Sequence, residues 1–274
     1  MEKKAVSQII EVDHFSFNGD FSANKIGIGD KISSERILNL AVEYRFKHVL
    51  QRTSADQPRQ IETSKIMLES PDVFFKFPLT SIFSPKLVNA STEKKLKVLE
   101  FKFKSLDQKN IALAKIVEKF RGITKNKASL MDIKLVADEL MCNAILNAPF
   151  VNDVETGSEA KSKARKKAVR LAKIFIGLSS NEIVIACEDT YGSLDIVKLL
   201  ARVRDCFSKS KGVGIANLGN YGAGLGTFMV FSAAKSMYFA VEKNKRTLVC
   251  CVIPLNSRQV KSDLFSKTLH LIIP

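Results

Sequence analysis

One predicted helix constrains the fold of this chain more than any other segment. Residues 135–150 read LVADELMCNAILNAPF, and apolar side chains lie nearly all round the helix, which Pro149 ends. Such a helix is expected to be buried. Glu139, Asn143 and Asn147 nevertheless recur at every fourth position and form one polar stripe.

Two interpretations of this stripe are open, because burying a carboxylate or amide costs on the order of a few kcal/mol unless it is hydrogen-bonded or binds a metal. The three side chains either satisfy one another or meet water at a helix edge, or they line a cavity. In the second case they present a carboxylate and two amides to a ligand.

Composition limits the classes of protein that this chain can belong to. It has 274 residues, of which 46% are hydrophobic, and its formal net charge is +15. The length fits one large domain, or a core of about 150 residues with a smaller unit. No run of roughly 18 apolar residues predicts a membrane span, and the first residues do not resemble a signal peptide. We therefore expect a cytoplasmic protein. Its charge favours an anionic partner, namely a nucleotide, a nucleic acid or an acidic membrane surface, although a basic, solvated surface explains most individual lysines equally well.

A metal centre built from cysteine and histidine is not expected. The five cysteines contain no CxxC pair, and Cys250 and Cys251 are adjacent in a strand-like run, so their side chains point to opposite faces. His14, His48 and His270 are scattered along the chain. Reduced cytosolic thiols are the simplest interpretation.

The chain divides into three regions by composition. Residues 1–90 are rich in Phe and polar turns, and no fold is assigned to them, although they could dock or regulate a partner. Residues 91–262 predict the element order β-α-α-β-β-α-α-β-β, which is typical of an α+β fold with a mixed sheet and helices on one face. Residues 263–274 are expected to form a C-terminal tail.

Two further segments predict a ligand site. Asp189 ends an apolar, strand-like run, so its carboxylate could accept a hydrogen bond from an exocyclic amine; an ordinary turn aspartate is the alternative. Gly222, Gly224 and Gly226 alternate where a later helix begins. Such glycines allow close approach of a phosphate, which a helix N-terminus attracts, although a flexible loop explains them equally well.

Taken in this order, the three segments resemble the motifs of the Bergerat-fold (GHKL) ATPases, which include gyrase, the heat-shock chaperones, the histidine kinases and the mismatch-repair ATPases. The resemblance covers roughly residues 96–254. It rests on ExxxN on a helix, on a strand-end Asp followed by Gly, and on GxGxG opening a later helix. The chain looks most like the anti-sigma-factor type of Ser/Thr kinase. The implied fold is a Bergerat-type α/β sandwich with an N-terminal extension of unassigned fold.

The resemblance also implies roles for individual residues in binding ATP and Mg²⁺. Glu139 would be the general base that activates water or a protein hydroxyl, and Asn143 would coordinate Mg²⁺ at the phosphates. Asp189 would bind the adenine amino group, Gly192 would lie against the base, and Thr247 would support Asp189 through water. The implied phosphate-binding residues are Gly222, Gly224, Gly226 and Thr227.

Some positions depart from the family pattern. Tyr191 replaces the first glycine of the usual DxGxG motif, and Leu146 stands where many histidine kinases have a lysine. Asn147 is also expected to bind the nucleotide, although related kinases often have His or Tyr at this position. These changes weaken the expectation of catalysis more than that of nucleotide binding. Residues 193–221 would form a mobile lid, whose basic residues are Arg202, Arg204, Lys209 and Lys211.

Three functions are compatible with these residues. The first is a Ser/Thr kinase or slow ATPase of bacterial signalling, acting on a regulatory partner of the sigma-factor or antagonist type. The second is a catalytically weak module that binds such a partner when nucleotide binds. The third is a basic nucleic-acid-binding protein, for which residues 161–170 supply charge but no interleaved aromatic residues.

Histidine autophosphorylation is not expected. The phospho-acceptor motif of the histidine kinases is a His followed by an acidic residue and a Leu, whereas His48, on a plausible helix, is followed by Val49 and Leu50. The oligomeric state is open, and a homodimer is compatible with the sequence.

Overall fold

The computed structural model has an α+β fold and describes residues 8–13, 25–52, 55–88, 97–124, 126–148, 170–210, 225–255 and 267–273. Over these ranges nine strands form one sheet. In chain order they are β1 (Gln8–Glu11), β2 (Lys25–Gly29), β3 (His48–Gln51), β4 (Lys97–Phe103), β5 (Ala172–Leu178), β6 (Glu182–Asp189), β7 (Ser236–Glu242), β8 (Arg246–Pro254) and β9 (Thr268–Ile272).

The same ranges contain eight α-helices, and none of them is long and apolar enough to cross a lipid bilayer. They are α1 (Ser34–Val42), α2 (Gln57–Glu69), α3 (Pro71–Lys76), α4 (Pro78–Phe83), α5 (Leu106–Arg121), α6 (Lys127–Cys142), α7 (Ile196–Ser210) and α8 (Leu225–Ala233). A π-helical turn, Asn143–Asn147, continues α6, and a short 3-10 turn spans Pro85–Leu87.

The sheet is mixed, and its strand order is β1-β2-β3-β9-β7-β8-β6-β5-β4. Neighbouring strands are parallel from β1 to β3 and between β9 and β7, and antiparallel elsewhere. From β4 to β8 the elements follow the predicted order β-α-α-β-β-α-α-β-β. The predicted α+β fold, an α/β sandwich on a mixed sheet, is confirmed.

The central strands are buried on both faces. In β6, Ile183, Ile185 and Cys187 pack into one hydrophobic layer, while Val184 and Ala186 pack into another. The first layer contains residues of α1 and of α5 to α8, among which α6 and α8 carry predicted motifs. The second layer contains residues of α2, α3 and α4, so the N-terminal region covers the other face of the sheet.

The two ends of the described chain complete this sheet. β1, β2 and β3 come from the N-terminal region, for which no fold was assigned, and β9 lies between β3 and β7. The residues Thr268–Ile272 are therefore a buried interior strand and not the expected tail. Pairing on both sides and burial of the alternating sequence TLHLI explain why this short segment is a strand.

His48 is in β3, so its predicted placement on a helix is wrong. Its apolar neighbours Val49 and Leu50 face opposite sides of a strand that is buried between β2 and β9. The His48 ring lies against His270 of β9, with 3.3 Å between their Nδ1 atoms, and both side chains are fully buried. Ser64 Oγ lies 3.0 Å from the same nitrogen of His270.

Candidate functional site

The carboxyl group of Glu139 lies directly against the backbone of Gly226. Glu139 is near the end of α6, and Gly226 is the second residue of α8. A Cβ added to Gly226 would lie 2.1 Å from Cδ and Oε1 of Glu139, which is far inside van der Waals contact. Only glycine fits here, so the first turn of α8 meets the carboxyl group of the ExxxN motif.

The polar stripe of α6 forms a hydrogen-bonded ladder. Nδ2 of Asn147 donates to Oδ1 of Asn143, and Nδ2 of Asn143 donates to Oε1 of Glu139 at 3.2 Å. Glu139 and Asn143 are half-buried, whereas Asn147 is exposed. The backbone of Asn143–Asn147 is π-helical, a local widening that is frequent at functional sites. The stripe thus satisfies itself in part, and it also runs from the Gly226 contact to solvent.

Burial raises the pKa of Glu139, and the adjacent Asp138 carboxylate raises it further. The hydrogen bond from Asn143 and the ammonium of Lys109 act in the opposite direction. A carboxylate with a raised pKa is better matched to accepting a proton near neutral pH than an exposed one. This electrostatic environment suits the general-base role that the sequence predicted for Glu139.

Lys109 is a residue of this environment that the sequence analysis missed. It is buried on α5, where it forms an ion pair with Asp138 and donates to Sγ of Cys142 at 3.5 Å. A signal was available, because Lys109 lies on the same helical stripe as Ala112 and Ile116, which are core residues. A lysine on such a stripe needs an anionic partner on the facing helix.

Asp189 and Thr247 form the second part of the candidate site. They are paired across β6 and β8, and both side chains are buried. Burial raises the pKa of Asp189 to about 6, against the effect of hydrogen bonds from the backbone N–H groups of Tyr191 and Gly192 and from the hydroxyl of Thr247. Oγ1 of Thr247 makes no hydrogen bond of normal geometry to any described residue, so its interaction with Asp189 is weak.

The loop after Asp189 has a geometry that requires glycine at position 192. Gly192 has φ of +60°, and a Cβ there would lie 2.1 Å from the carbonyl oxygen of Glu242 in the β7–β8 hairpin. The backbone N–H of Asn244 in that hairpin donates to the carbonyl of Gly192 at 3.1 Å. This glycine therefore packs the loop against the hairpin, and the same loop carries Asp189.

Tyr191, in the loop after Asp189, has its own partners. Its phenol oxygen accepts a hydrogen bond from the backbone N–H of Arg170 at 2.8 Å. The Arg170 guanidinium lies 5.2 Å from the centre of the Tyr191 ring and donates to the carbonyl of Thr190 at 3.0 Å. These contacts connect Arg170, just before β5, to the loop after β6.

One hydrogen bond joins the two parts of the candidate site. Oγ of Ser193, in the loop after Asp189, donates to the carbonyl of Ala148 at 2.8 Å. Ala148 directly follows the π-helical turn that contains Asn143 and Asn147. The Asp189 loop therefore lies beside the end of the polar stripe.

The structure brings most of the predicted site residues into one continuous set of contacts. Thr227 follows Gly226 in α8 and is buried. Gly222 and Gly224 lie outside the described residues. The predicted residues that belong to this set are Glu139, Asn143, Asn147, Asp189, Gly192, Gly226, Thr227 and Thr247.

The predicted mobile lid is wrong for most of its N-terminal half. Ile196–Ser210 is the helix α7, whose Leu200 and Val203 are buried in the main hydrophobic layer. Arg204 of α7 donates to Oε1 of Glu43 at 2.7 Å, just beyond the end of α1, so this arginine binds the N-terminal region. Residues 211–224 and the side chain of Lys209 are outside the described part of the chain.

A metal held by protein ligands alone is not indicated. No group of three His, Cys, Asp or Glu side chains in the described ranges is placed to hold an ion. Cys250 and Cys251 point to opposite faces of the sheet, as predicted. Oδ1 of Asn143 is a hard oxygen donor of the kind that Mg²⁺ accepts, but phosphate oxygens would have to complete the coordination.

Comparison with known proteins adds no relative. The sequence profile of no known protein family matches this chain, and no curated protein has significant sequence similarity to it.

Proposed function

We propose that this chain binds ATP with Mg²⁺ between α6, α8 and the Asp189 loop, and that it is a Bergerat-type Ser/Thr kinase or slow ATPase. The observation that supports this most is the contact of Glu139 with Gly226. It brings together two short motifs that are far apart in sequence. A chance match of either motif alone would not predict this contact. The Ser193–Ala148 hydrogen bond then adds the third motif.

Asp189 and Thr247 would recognise the base. An ionised Asp189 accepts a hydrogen bond from the amino group of adenine, whereas guanine presents a carbonyl oxygen at the corresponding position. The buried Thr247 hydroxyl, which lacks a hydrogen bond of normal geometry to any described residue, would supply a further polar contact to the base or to a bridging water. We therefore expect adenine to be preferred over guanine.

Gly226, Thr227 and the N-terminal turn of α8 would hold the phosphates, together with Gly222 and Gly224 if the resemblance extends to them. The N-terminus of a helix attracts anions through its free N–H groups and its dipole. Asn143 would hold Mg²⁺ with the phosphate oxygens, and the ion would neutralise phosphate charge. Glu139 would take the proton of an attacking hydroxyl, either water or a Ser/Thr side chain of a partner.

A second function is favoured by the hydrogen-bonded ladder. Glu139 and Asn143 already bond to each other, and Asn143 also accepts from Asn147, so neither group depends on a ligand for a partner. This arrangement would suit a nucleotide-gated module that binds a regulatory protein, of the sigma-factor or antagonist type, with little turnover. The N-terminal region would then be the docking part.

Calorimetry with ATP·Mg²⁺ and GTP·Mg²⁺ on the wild-type chain and on Asp189→Asn tests the base site. We expect the wild type to prefer ATP and the variant to lose that preference. Glu188→Gln is the matched control, since Glu188 is adjacent but pairs with Lys173 at 3.2 Å, and it should retain the preference. No ATP binding by the wild type, or an unchanged preference in Asp189→Asn, would contradict the proposal.

Phosphate release separates the enzyme from the binding module. We expect Glu139→Ala to abolish turnover with nucleotide affinity retained. If the wild type binds ATP but releases no phosphate and labels no partner, the binding module is the better assignment. Binding to nucleic acid that falls steeply with salt and ignores ATP would instead indicate the basic nucleic-acid binder.

A further inference from the structure

A buried lysine ends the helix that begins at Gly226. Lys267 directly precedes β9 and is 2% exposed. Its ammonium group donates to the backbone carbonyls of Phe231 at 2.7 Å, Ser232 at 2.9 Å and Ala234 at 2.8 Å. These carbonyls lie at the C-terminal end of α8, where a helix leaves its last carbonyl groups without partners. Lys267 thus donates to three carbonyls of this one helix end.

Lys267 also lies near the beginning of α6. Burial raises the pKa of Asp132 in α6, and the ammonium of Lys267 opposes that rise. Lys267 therefore lies at the end of α8 that is remote from Gly226, within electrostatic range of Asp132 in the first half of α6. Six residues separate Gly226 from Ser232, which is roughly 9 Å along a helix at 1.5 Å per residue.

The backbone of Lys267 is held in place independently of its side chain. The N–H of Thr268 donates to the carbonyl of Lys235 at 3.0 Å, and Oγ1 of Thr268 donates to Oγ of Ser236 at 2.8 Å. A well-packed apolar residue in such a place is often no less stable than a buried charge. Lys267 supplies donors to these helix-end carbonyls, and it also places a positive charge there.

The charge has a direct consequence at the other end of α8. A helix carries a partial negative charge at its C-terminus and a partial positive charge at its N-terminus. A cation on the C-terminal carbonyls cancels the negative end, so the potential at Gly226 becomes more favourable for an anion.

We infer that Lys267 is a positioning residue for the phosphates of the bound nucleotide, acting through α8 without touching the ligand. The inference rests on the proposed function, because it assumes that phosphates lie at the N-terminus of α8. It predicts that Lys267 affects ligands with phosphates and leaves ligands without them unaffected.

The test compares ATP·Mg²⁺ with adenosine by calorimetry on the wild type, Lys267→Met and Lys267→Gln. Lys267→Met removes the charge and all three hydrogen bonds, whereas Lys267→Gln removes the charge and keeps two donors for the helix carbonyls. We expect both variants to bind ATP about tenfold more weakly, which corresponds to about 1.4 kcal/mol, and adenosine within about twofold of wild type. If Lys267→Met does not fold, Lys267→Gln carries the test.

Thr268→Val is the matched control. It removes the hydrogen bond to Ser236 from the same strand without touching α8, so it should lower the melting temperature and leave the ratio of ATP to adenosine affinity unchanged. The inference would be overturned, while the ATP site stands, if the Lys267 variants bound ATP and adenosine equally more weakly, or if their affinity for ATP were unchanged. Failure of the wild type to bind ATP would overturn the proposed function and this inference with it.

Discussion

Asp189 and Thr247 lie directly opposite each other in the β6–β8 ladder, and both side chains are buried. The Thr247 hydroxyl has no hydrogen bond of normal geometry to any described residue. Burying a carboxylate this way is unfavourable for the folded protein in the absence of a ligand. Ionised Asp189 is thus expected to lower the stability of the ligand-free protein. A measurable effect of pH on stability follows.

Asp189→Asn should make the ligand-free protein more stable at neutral pH. Burial raises the pKa of Asp189 from 3.8 to about 6, so the folded state binds its proton more tightly than the unfolded state. Ionisation above about pH 6 therefore costs stability, up to about 3 kcal/mol for a shift of this size. Urea unfolding should show the variant more stable than wild type at about pH 8, with the difference vanishing near pH 4. A variant less stable than wild type at both pH values would contradict the prediction.

Gly226→Ala should destabilise the fold and displace the Glu139 carboxyl group, because the new methyl group would overlap it. We expect a loss of about 1–3 kcal/mol in the free energy of unfolding, as for other overpacked sites. The loss should be smaller when Glu139→Ala is already present, since the overlapping group is then gone.

Gly122→Ala is the control for this substitution. Its Cβ would come no closer than 3.9 Å to the nearest atom, the carbonyl oxygen of Lys119, so stability should be unchanged or slightly higher. Equal losses from Gly226→Ala with and without Glu139 would show that the clash does not exist.

Acid should destabilise the junction between β3 and β9. Burial lowers the pKa of His48 well below its usual value, and repulsion by His270 and Lys47 lowers it further. Burial lowers the pKa of His270 to about 3. The unfolded chain takes up protons on these groups below about pH 6.5, whereas the folded protein does not. Each histidine thus removes up to about 1.4 kcal/mol of stability per pH unit as the pH falls from 6.5.

A variant with both His48→Gln and His270→Gln tests this pH dependence. Its free energy of unfolding should vary less between about pH 7 and pH 5 than that of the wild type. The other groups that face the two rings are Ser64, Thr268 and Tyr238, and none of them titrates in that range. An unchanged slope in the double variant would place the acid sensitivity elsewhere.

Four charged side chains connect the start of α2 to the sheet through ion pairs: Asp56, Arg59, Glu182 and Lys235. Their energetic coupling can be measured. Lys235 contacts Asp56 and lies 2.8 Å from Oε1 of Glu182, while Arg59 lies 2.7 Å from Oε2 of Glu182. Lys235→Met should cost about 1–3 kcal/mol, because a largely buried Glu182 loses one of its two cations. The double variant Lys235→Met/Arg59→Met should lose more unfolding free energy than the two single variants together, because Glu182 then has neither cation.

Lys65→Met is the control for this network. Its pair with Glu62 is exposed, so its loss should change stability by no more than about 0.5 kcal/mol. Additive losses from Lys235→Met and Arg59→Met would mean that the four charges do not act as a network.

The sequence predicted the second half of this fold well because its patterns are local. Leu99 and Phe101 alternate with charged residues in β4, and Ser105 begins α5 by accepting a hydrogen bond from the backbone of Gln108 at 3.3 Å. The stripe of Glu139 and Asn143 was visible for the same reason, since helical periodicity involves residues only four apart.

The first half could not be predicted in this way, because its strands are short and their partners are distant. β3 has four residues and pairs with β9, which joins His48 to His270 across 222 positions of the chain. Within the site, Ser193 of a loop bonds to Ala148 at the end of a helix, and Lys267 bonds to a helix from another element. Such contacts leave no periodic pattern in the sequence.

The place of β9 in the sheet has a consequence for how this protein is made. While the chain emerges from the ribosome, β1 to β3 can pair with one another, but the outer side of β3 has no strand to pair with until residues 268–272 are synthesised. An unpaired strand edge is a template for aggregation, and long-range pairing of this kind is slow to form. The sheet is therefore expected to close only after residues 268–272 have left the ribosome, with β3 as the segment most in need of a chaperone before then.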